Sequence, residues 1–190
     1  MSSSLFQTVS AAPPVGPRWC ERQVQEAVYV YCAIKNHEII VPNSCVFGWE
    51  SDVVSVNKTG FIAEFEIKVT RADFKADAKK ERASLLVNPA QKTWFGKDVT
   101  HPRPNYFFYV VPSGLITAEE VPEYAGLIYA ERHVEGHRLY YGTAREIKPA
   151  ARMHRDKITD WQRKQLARAL TGRYWRQRLG ALAANNEASE

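Results

Sequence analysis

Cysteine is scarce in this chain, with three in 190 residues, at positions 20, 32 and 45. An odd number at wide spacing excludes a disulfide framework and lacks the close pairs of a structural zinc site. It fits a reducing, cytoplasmic setting. No apolar run approaches the roughly 20 residues that a membrane span requires, so no transmembrane helix and no membrane partner are expected. The first 18 residues lack a basic start followed by an apolar core, and their Ser, Ala and Pro content reads as a flexible leader rather than a signal peptide. No glycine-rich loop ends in Gly-Lys-Ser/Thr, and no serine or cysteine sits in a nucleophile-elbow motif. His133 and His137 straddle Gly136, which breaks helical metal-ligand spacing, and His101 and His154 have no evident partners.

Composition is otherwise that of a globular domain, 45% hydrophobic and 25% charged. One domain is expected over residues 19–182, with a frayed tail at 183–190. Charge is unevenly spread. Between Arg145 and Arg178 eleven Lys or Arg face three acids, a local +8 within a total of +5, so the rest of the chain stands at −3. A basic segment over 145–182 implies a polyanionic partner, against the plainer reading of a solvated helix face.

Periodicity gives the elements. Val24, Ala27, Val28, Tyr31 and Ile34 recur at helical spacing, predicting a helix over 19–35 with Glu21 bordering its buried face. A short strand at 39–41 and a longer one at 45–56 follow. Asn57-Lys58-Thr59-Gly60 has the composition of a hairpin turn into a strand over 61–69. There Phe65, Ile67 and Val69 alternate with Glu64, Glu66 and Lys68. Thr70 and Asp73 form a cap-like pair ahead of a helix over 71–86. Residues 88–104 read as a loop, 105–111 and 125–130 as strands, 117–123 as a helical turn and 145–155 as irregular. A strand at 138–141 would pair back on 125–130. Thr159 and Gln162 open a final helix to about 182. The order is that of an α/β fold, a hairpin feeding a central mixed sheet flanked by helices, with a basic C-terminal helix.

Chemistry concentrates between Trp49 and Lys80. Phosphodiester hydrolysis needs an activated water and neutralisation of charge on the phosphate, and hard divalent ions held by oxygen ligands supply both. Asp52 and Glu66 can hold such an ion if their strands are neighbours, with the Ile67 carbonyl completing the set. Lys68 shares a face with Glu66 and can serve the water or the pentavalent phosphate. Glu50 shares a face with Asp52, and Glu21 can approach from the helix. Against this stands the reading of surface charge on a half-exposed sheet. Asp73, Asp77 and Lys80 read as capping and surface charge, or as groups supporting the site and its phosphate. Trp161, Tyr174 and Trp175 read as helix-packing residues rather than base-stacking platforms.

The stretch resembles the PD-(D/E)XK, or restriction-endonuclease-like, nuclease superfamily. Ser51-Asp52 resembles the degenerate Pro-Asp half of its motif and Glu66-Ile67-Lys68 the (D/E)XK half. EFEIKVTRADFKADAKK (64–80) is similar to a run in MmcB-like DNA repair proteins and phage-encoded proteins. VPN (41–43), FFYVVP (107–112), VPEYAGLI (121–128) and DKITDWQRKQLARALTGRYW (156–175) extend the likeness over roughly 19–178. The proline before Asp52 is missing, at a position that varies in the superfamily. The resemblance implies a restriction-endonuclease-like fold and a Mg²⁺-dependent nuclease, with Mn²⁺ as a substitute, acting on DNA in a bacterial or phage-infected cell. It implies Asp52 and Glu66 as metal ligands, Lys68 as the catalytic lysine and Glu21 as the helix glutamate. Lys80, Arg152, Arg155, Lys157, Arg163 and Lys164 would contact the phosphate backbone. Cutting both strands takes two sites or two events, and a homodimer is one solution. The alternative is a catalytically silent binding factor on the same fold, such as a phage protein engaging a host defence or repair system.

Overall fold

The structure, a computed structural model, describes residues 18–77, 85–87, 91–94, 97–100, 102–135 and 138–187, of which 91–94, 97–100, 133–135, 138–141 and 181–187 are described by backbone alone. The leader and Lys80 lie outside these residues. Helix α1 (Glu21–Ile34) is followed by strands β1 (His37–Ser44), β2 (Ser51–Asn57) and β3 (Ile62–Ile67), helix α2 (Arg71–Asp77), and β4 (Gln91–Trp94) and β5 (Lys97–Thr100). Then come β6 (Tyr106–Pro112), a 3-10 turn at Ala118–Glu120, β7 (Ala125–Glu135), β8 (Arg138–Lys148) and helix α3 (Asp160–Glu187).

Six strands form one mixed sheet in the order β1-β2-β3-β6-β7-β8, and β4 pairs with β5 apart from it. β1, β2 and β3 are antiparallel neighbours, β6 runs parallel to β3 and to β7, and β8 returns antiparallel to β7. The hairpin turn predicted at 57–60 is present. Asn57 Oδ1 accepts from the Thr59 and Phe61 amides at 3.0 Å each, and Gly60 takes φ 84°, which only glycine adopts freely. α1 covers one face of the sheet, burying Val24, Ala27, Val28, Tyr31 and Cys32 against Val53, Phe65, Ile67, Val110 and Ile128. On the other face Leu166 of α3 joins Val41, Val54, Val56 and Ile62. Beside it Leu86, Ile116 and Val121 cover Phe107, Tyr109 and Leu127. At Gly126 the Phe108 ring lies where a side chain would be, since a Cβ there would come within 2.4 Å of it.

Several expected boundaries are corrected. β1 continues through Pro42 to Ser44, which an edge strand tolerates because its outer groups need no ladder partner. Residues 45–50 are turn and bend rather than strand, and their apolar character comes from Val46, Phe47 and Trp49 packing beneath α3. The expected loop contains the β4–β5 pair. The segment read as irregular from 145 is strand to Lys148, because Lys148 pairs with Leu127. α2 is described to Asp77 and residues 85–87 are helical. α3 runs beyond 182 to Glu187.

Candidate active site

The antiparallel register of β2 and β3 pairs Val53 with Phe65 and Val54 with Glu64. Continued by one residue it sets Asp52 opposite Glu66, so both carboxylates project from the same face, away from α1. The strands are close enough there for the Ile67 amide to donate to Asp52 Oδ2 at 2.7 Å. Asp52 is half-buried, and its carboxyl is pushed up to about 6, first by burial and then by the charge of Glu66. Two carboxylates are thus crowded together, with the Glu21 charge adding to the strain.

Glu66 and Lys68 are buried rather than solvated, at 2% and 7% exposure. They alternate with Phe65 and Ile67 as expected, but their face is covered, with Asp77 of α2 reaching Lys68 and Phe74 packing on Tyr109 of β6. Lys68 Nζ donates to Glu66 Oε1 at 2.5 Å and lies 3.4 Å from Asp77 Oδ1. Burial works against the lysine's charge, but Glu66 and Asp77 outweigh it and hold its pKa above the ordinary value. Asp77, only 1% exposed, also accepts from the Tyr109 hydroxyl at 2.9 Å. Asp77 is therefore not the surface charge of the plainer expectation. The only sequence signal was its place in the run 64–80, since reaching Lys68 depends on how the chain turns back after β3. Asp73 has the capping role, its Oδ2 accepting from Thr70 Oγ1 at 2.6 Å. Glu64 is fully buried and accepts from Trp49 Nε1 at 2.9 Å.

Around Asp52 the first helix and the edge strand are tied in. Gln25 Nε2 donates to Glu21 Oε1 at 3.2 Å, Asn43 Oδ1 at 2.6 Å and the Asp52 carbonyl at 3.3 Å. Asn43 takes φ 45°, a left-handed turn that Asn accepts more readily than most residues. Glu21 is exposed beside this cluster. Glu50 is exposed just before β2, where its charge acts on Arg173 of α3.

The expected phosphate contacts do not gather here. Arg152, Arg155 and Lys157 are exposed at the opposite end of the hairpin. Buried Asn105 fixes that segment, accepting from the Ile62 amide at 2.7 Å and donating to the His154 and Asp156 carbonyls at 3.1 and 2.8 Å. The Ile158 amide donates to the Gly60 carbonyl at 2.8 Å. Arg163 lies beside Gly60 and Lys164 is exposed one residue on. From Ile62 to Glu66 the strand spans about 13 Å, so this basic group stands some four base-pair steps from the carboxylates.

Oxygen donors of this kind suit a hard divalent ion. Asp52 and Glu66 bring two such carboxylates to neighbouring strands, and the Asp52 carboxyl is raised first by burial and then by the Glu66 charge. Among the described residues no three His, Cys, Asp or Glu side chains form a preformed cage. No family model and no curated protein matches the chain. Its architecture is similar to that of a solved protein of unknown function from Silicibacter pomeroyi, with a TM-score of 0.56 and 23% identity over 87% of this chain and 92% of that one. The chain is an α/β protein whose six-stranded mixed sheet is flanked by helices, and none of its described helices is long and apolar enough to cross a membrane.

Proposed function

We propose that the protein is a restriction-endonuclease-like, divalent-metal-dependent nuclease acting on DNA. The observation that carries this reading is Asp52 set opposite Glu66, with Lys68 buried beside Glu66 at the end of β3. Asp52, Glu66 and the Ile67 carbonyl would hold Mg²⁺ or Mn²⁺, and Glu21 stands near enough to add charge. Such an ion would polarise the phosphate and lower the pKa of a water. The chain's own groups do the positioning. The Ile67 amide fixes the Asp52 carboxylate. Glu66 holds the Lys68 ammonium by a hydrogen bond and Asp77 by an ion pair at 3.4 Å, and the ammonium has three donors in all. A donor not so engaged can meet a phosphate oxygen, where a fixed cation in a dry site stabilises the charge of the pentavalent state.

The test is cleavage of labelled linear, branched and single-stranded DNA and of RNA with Mg²⁺ or Mn²⁺, comparing the protein with Asp52→Ala. The variant should lose cleavage and keep its fold. Undiminished cleavage by Asp52→Ala sinks the assignment. A catalytically silent binding factor would show neither cleavage nor a divalent-ion thermal shift sensitive to Glu66→Gln.

A further inference from the structure

The aromatic side chains of α3 are more than half exposed. Trp161, Tyr174 and Trp175 are 57%, 55% and 52% exposed, and every residue from Tyr174 to Gly180 is exposed. The sheet is met instead by Gln162, Leu166, Ala169 and Arg173, which fall within about 60° of one another at 3.6 residues per turn. Trp161, Arg168 and Trp175 are spaced by seven and line up on the outer side, with Leu179 beyond them.

The helix has a direction relative to the carboxylates. It starts beside Gly60, at the far end of the hairpin. By Arg173 it has reached the near end, where that guanidinium donates to the carbonyls of Pro42 and Asn43. Asn43 in turn accepts from Gln25, which donates to the Asp52 carbonyl. Three hydrogen-bonded links therefore connect the helix to a proposed metal ligand. The residues after Arg173, as far as Glu187, run on for about 21 Å. They form an arm at the carboxylate end of the sheet, carrying Tyr174, Trp175, Arg176 and Arg178.

We infer that this arm captures single-stranded nucleic acid, stacking unpaired bases on Trp175 and Tyr174 while Arg176 and Arg178 hold the flanking phosphates. Charge selects a polyanion, because residues 161–186 carry six Lys or Arg and no acid. The distribution of apolar groups selects nucleic acid over a lipid surface or a second copy of the helix. Leu170 lies far round the helix from Trp161 and Leu179, Tyr174 stands against Trp175, and Lys164 and Arg178 interrupt the side between them, so there is no continuous apolar face or seam. Interleaved aromatic and basic side chains are what single strands require, since an indole stacks on a base only when that base has left its own stack. The tyrosine and tryptophan rings already meet edge to face, at 5.4 Å and 78°. This deepens the nuclease reading, on which it rests for why an arm should stand here. It places the grip on substrate at 174–178 rather than at 152–164, and makes an unpaired stretch the preferred substrate.

Binding is measured without cleavage, by fluorescence anisotropy in EDTA. The probes are an oligothymidylate about 20 nucleotides long, which exceeds the usual footprint, and a duplex of equal length. The oligothymidylate should bind more tightly than the duplex. Trp175→Ala should weaken it roughly tenfold, and Tyr174→Ala should act in the same direction. Duplex affinity should stay within about twofold in both variants. Unchanged oligothymidylate affinity in both variants overturns the inference. So does binding to phosphatidylserine vesicles in place of the oligonucleotide, or a change of sedimentation state with no change in oligonucleotide binding. Cleavage that survives Asp52→Ala, alongside weakened binding by Trp175→Ala, would remove the nuclease assignment and leave the arm.

Discussion

Replacing Lys68 with methionine keeps most of the side chain's bulk and removes its charge. The Glu66 and Asp77 side chains, 3% and 1% exposed, then lose the cation they share. Breaking a buried pair from one side costs about 3–5 kcal/mol, because the stranded partner keeps its desolvation penalty. In a domain of this size that lowers Tm by roughly 6–20 °C. The pH dependence separates charge from packing. Without the ammonium both carboxyls should be harder to ionise than in the parent protein. The penalty is therefore absent where both carboxyls are protonated in parent and variant alike, and grows as pH rises through their folded values. Urea unfolding at pH 5 and pH 8 should show a much larger loss at pH 8, and Glu66→Gln with Asp77→Asn should restore part of it. A loss below about 1 kcal/mol at pH 8, or one equal at both pH values, would refute the reasoning and reduce Lys68 to a packing residue. The same energetics make Asp52→Ala the cleaner test of catalysis, since a lysine variant confounds activity with folding.

Asn105→Ala should cost about 2–3 kcal/mol in urea unfolding, since it strands the buried Ile62 amide and the carbonyls of His154 and Asp156. Hydrogen exchange should rise at Ile62 in that variant. Glu146 accepts from Tyr31 at 2.5 Å and from Lys35 at 2.7 Å. Burial works against its charge, but these bonds hold its carboxyl below the usual range. Its contribution is present above the unfolded value near 4.3 and is lost as pH falls through the depressed folded value. Glu146→Gln should therefore flatten the acid limb of the stability profile measured between about pH 3 and pH 6.

Local rules made parts of this fold legible. The spacing of Val24, Val28 and Tyr31 gives α1 to within two residues at its start and one at its end. The pair Thr159 and Gln162 opens α3 as expected, with the Thr159 amide donating to Gln162 Oε1 at 2.9 Å. Alternation in β3 and the 57–60 turn put Asp52 and Glu66 on neighbouring strands, and this is the part of the site the sequence could yield. Partners brought by long-range packing were not legible. Glu64 and Glu66 look like a solvated edge until Trp49 and α2 close over that face. Asp77 meets Lys68 only because the chain doubles back after β3. Arg152, Arg155 and Lys157 are near α3 in sequence and far from the carboxylates in space, because Asn105 draws them to the other end of the sheet. Helical aromatics usually pack, but Trp161 lies on the outer side of α3 and Trp175 beyond Arg173, where the helix outruns the sheet, so both stay exposed.

Arg173 also bears on how the protein keeps its own copies apart. β1 is an outermost strand, and open strand edges invite pairing with another chain. Pro42 offers no amide there, and the guanidinium already occupies the carbonyls of Pro42 and Asn43. A strand approaching that edge would find one donor missing and two acceptors engaged. Arg173 and Pro42 thus disfavour edge-to-edge pairing at this part of β1, and a dimer of the proposed nuclease would have to form along some other surface.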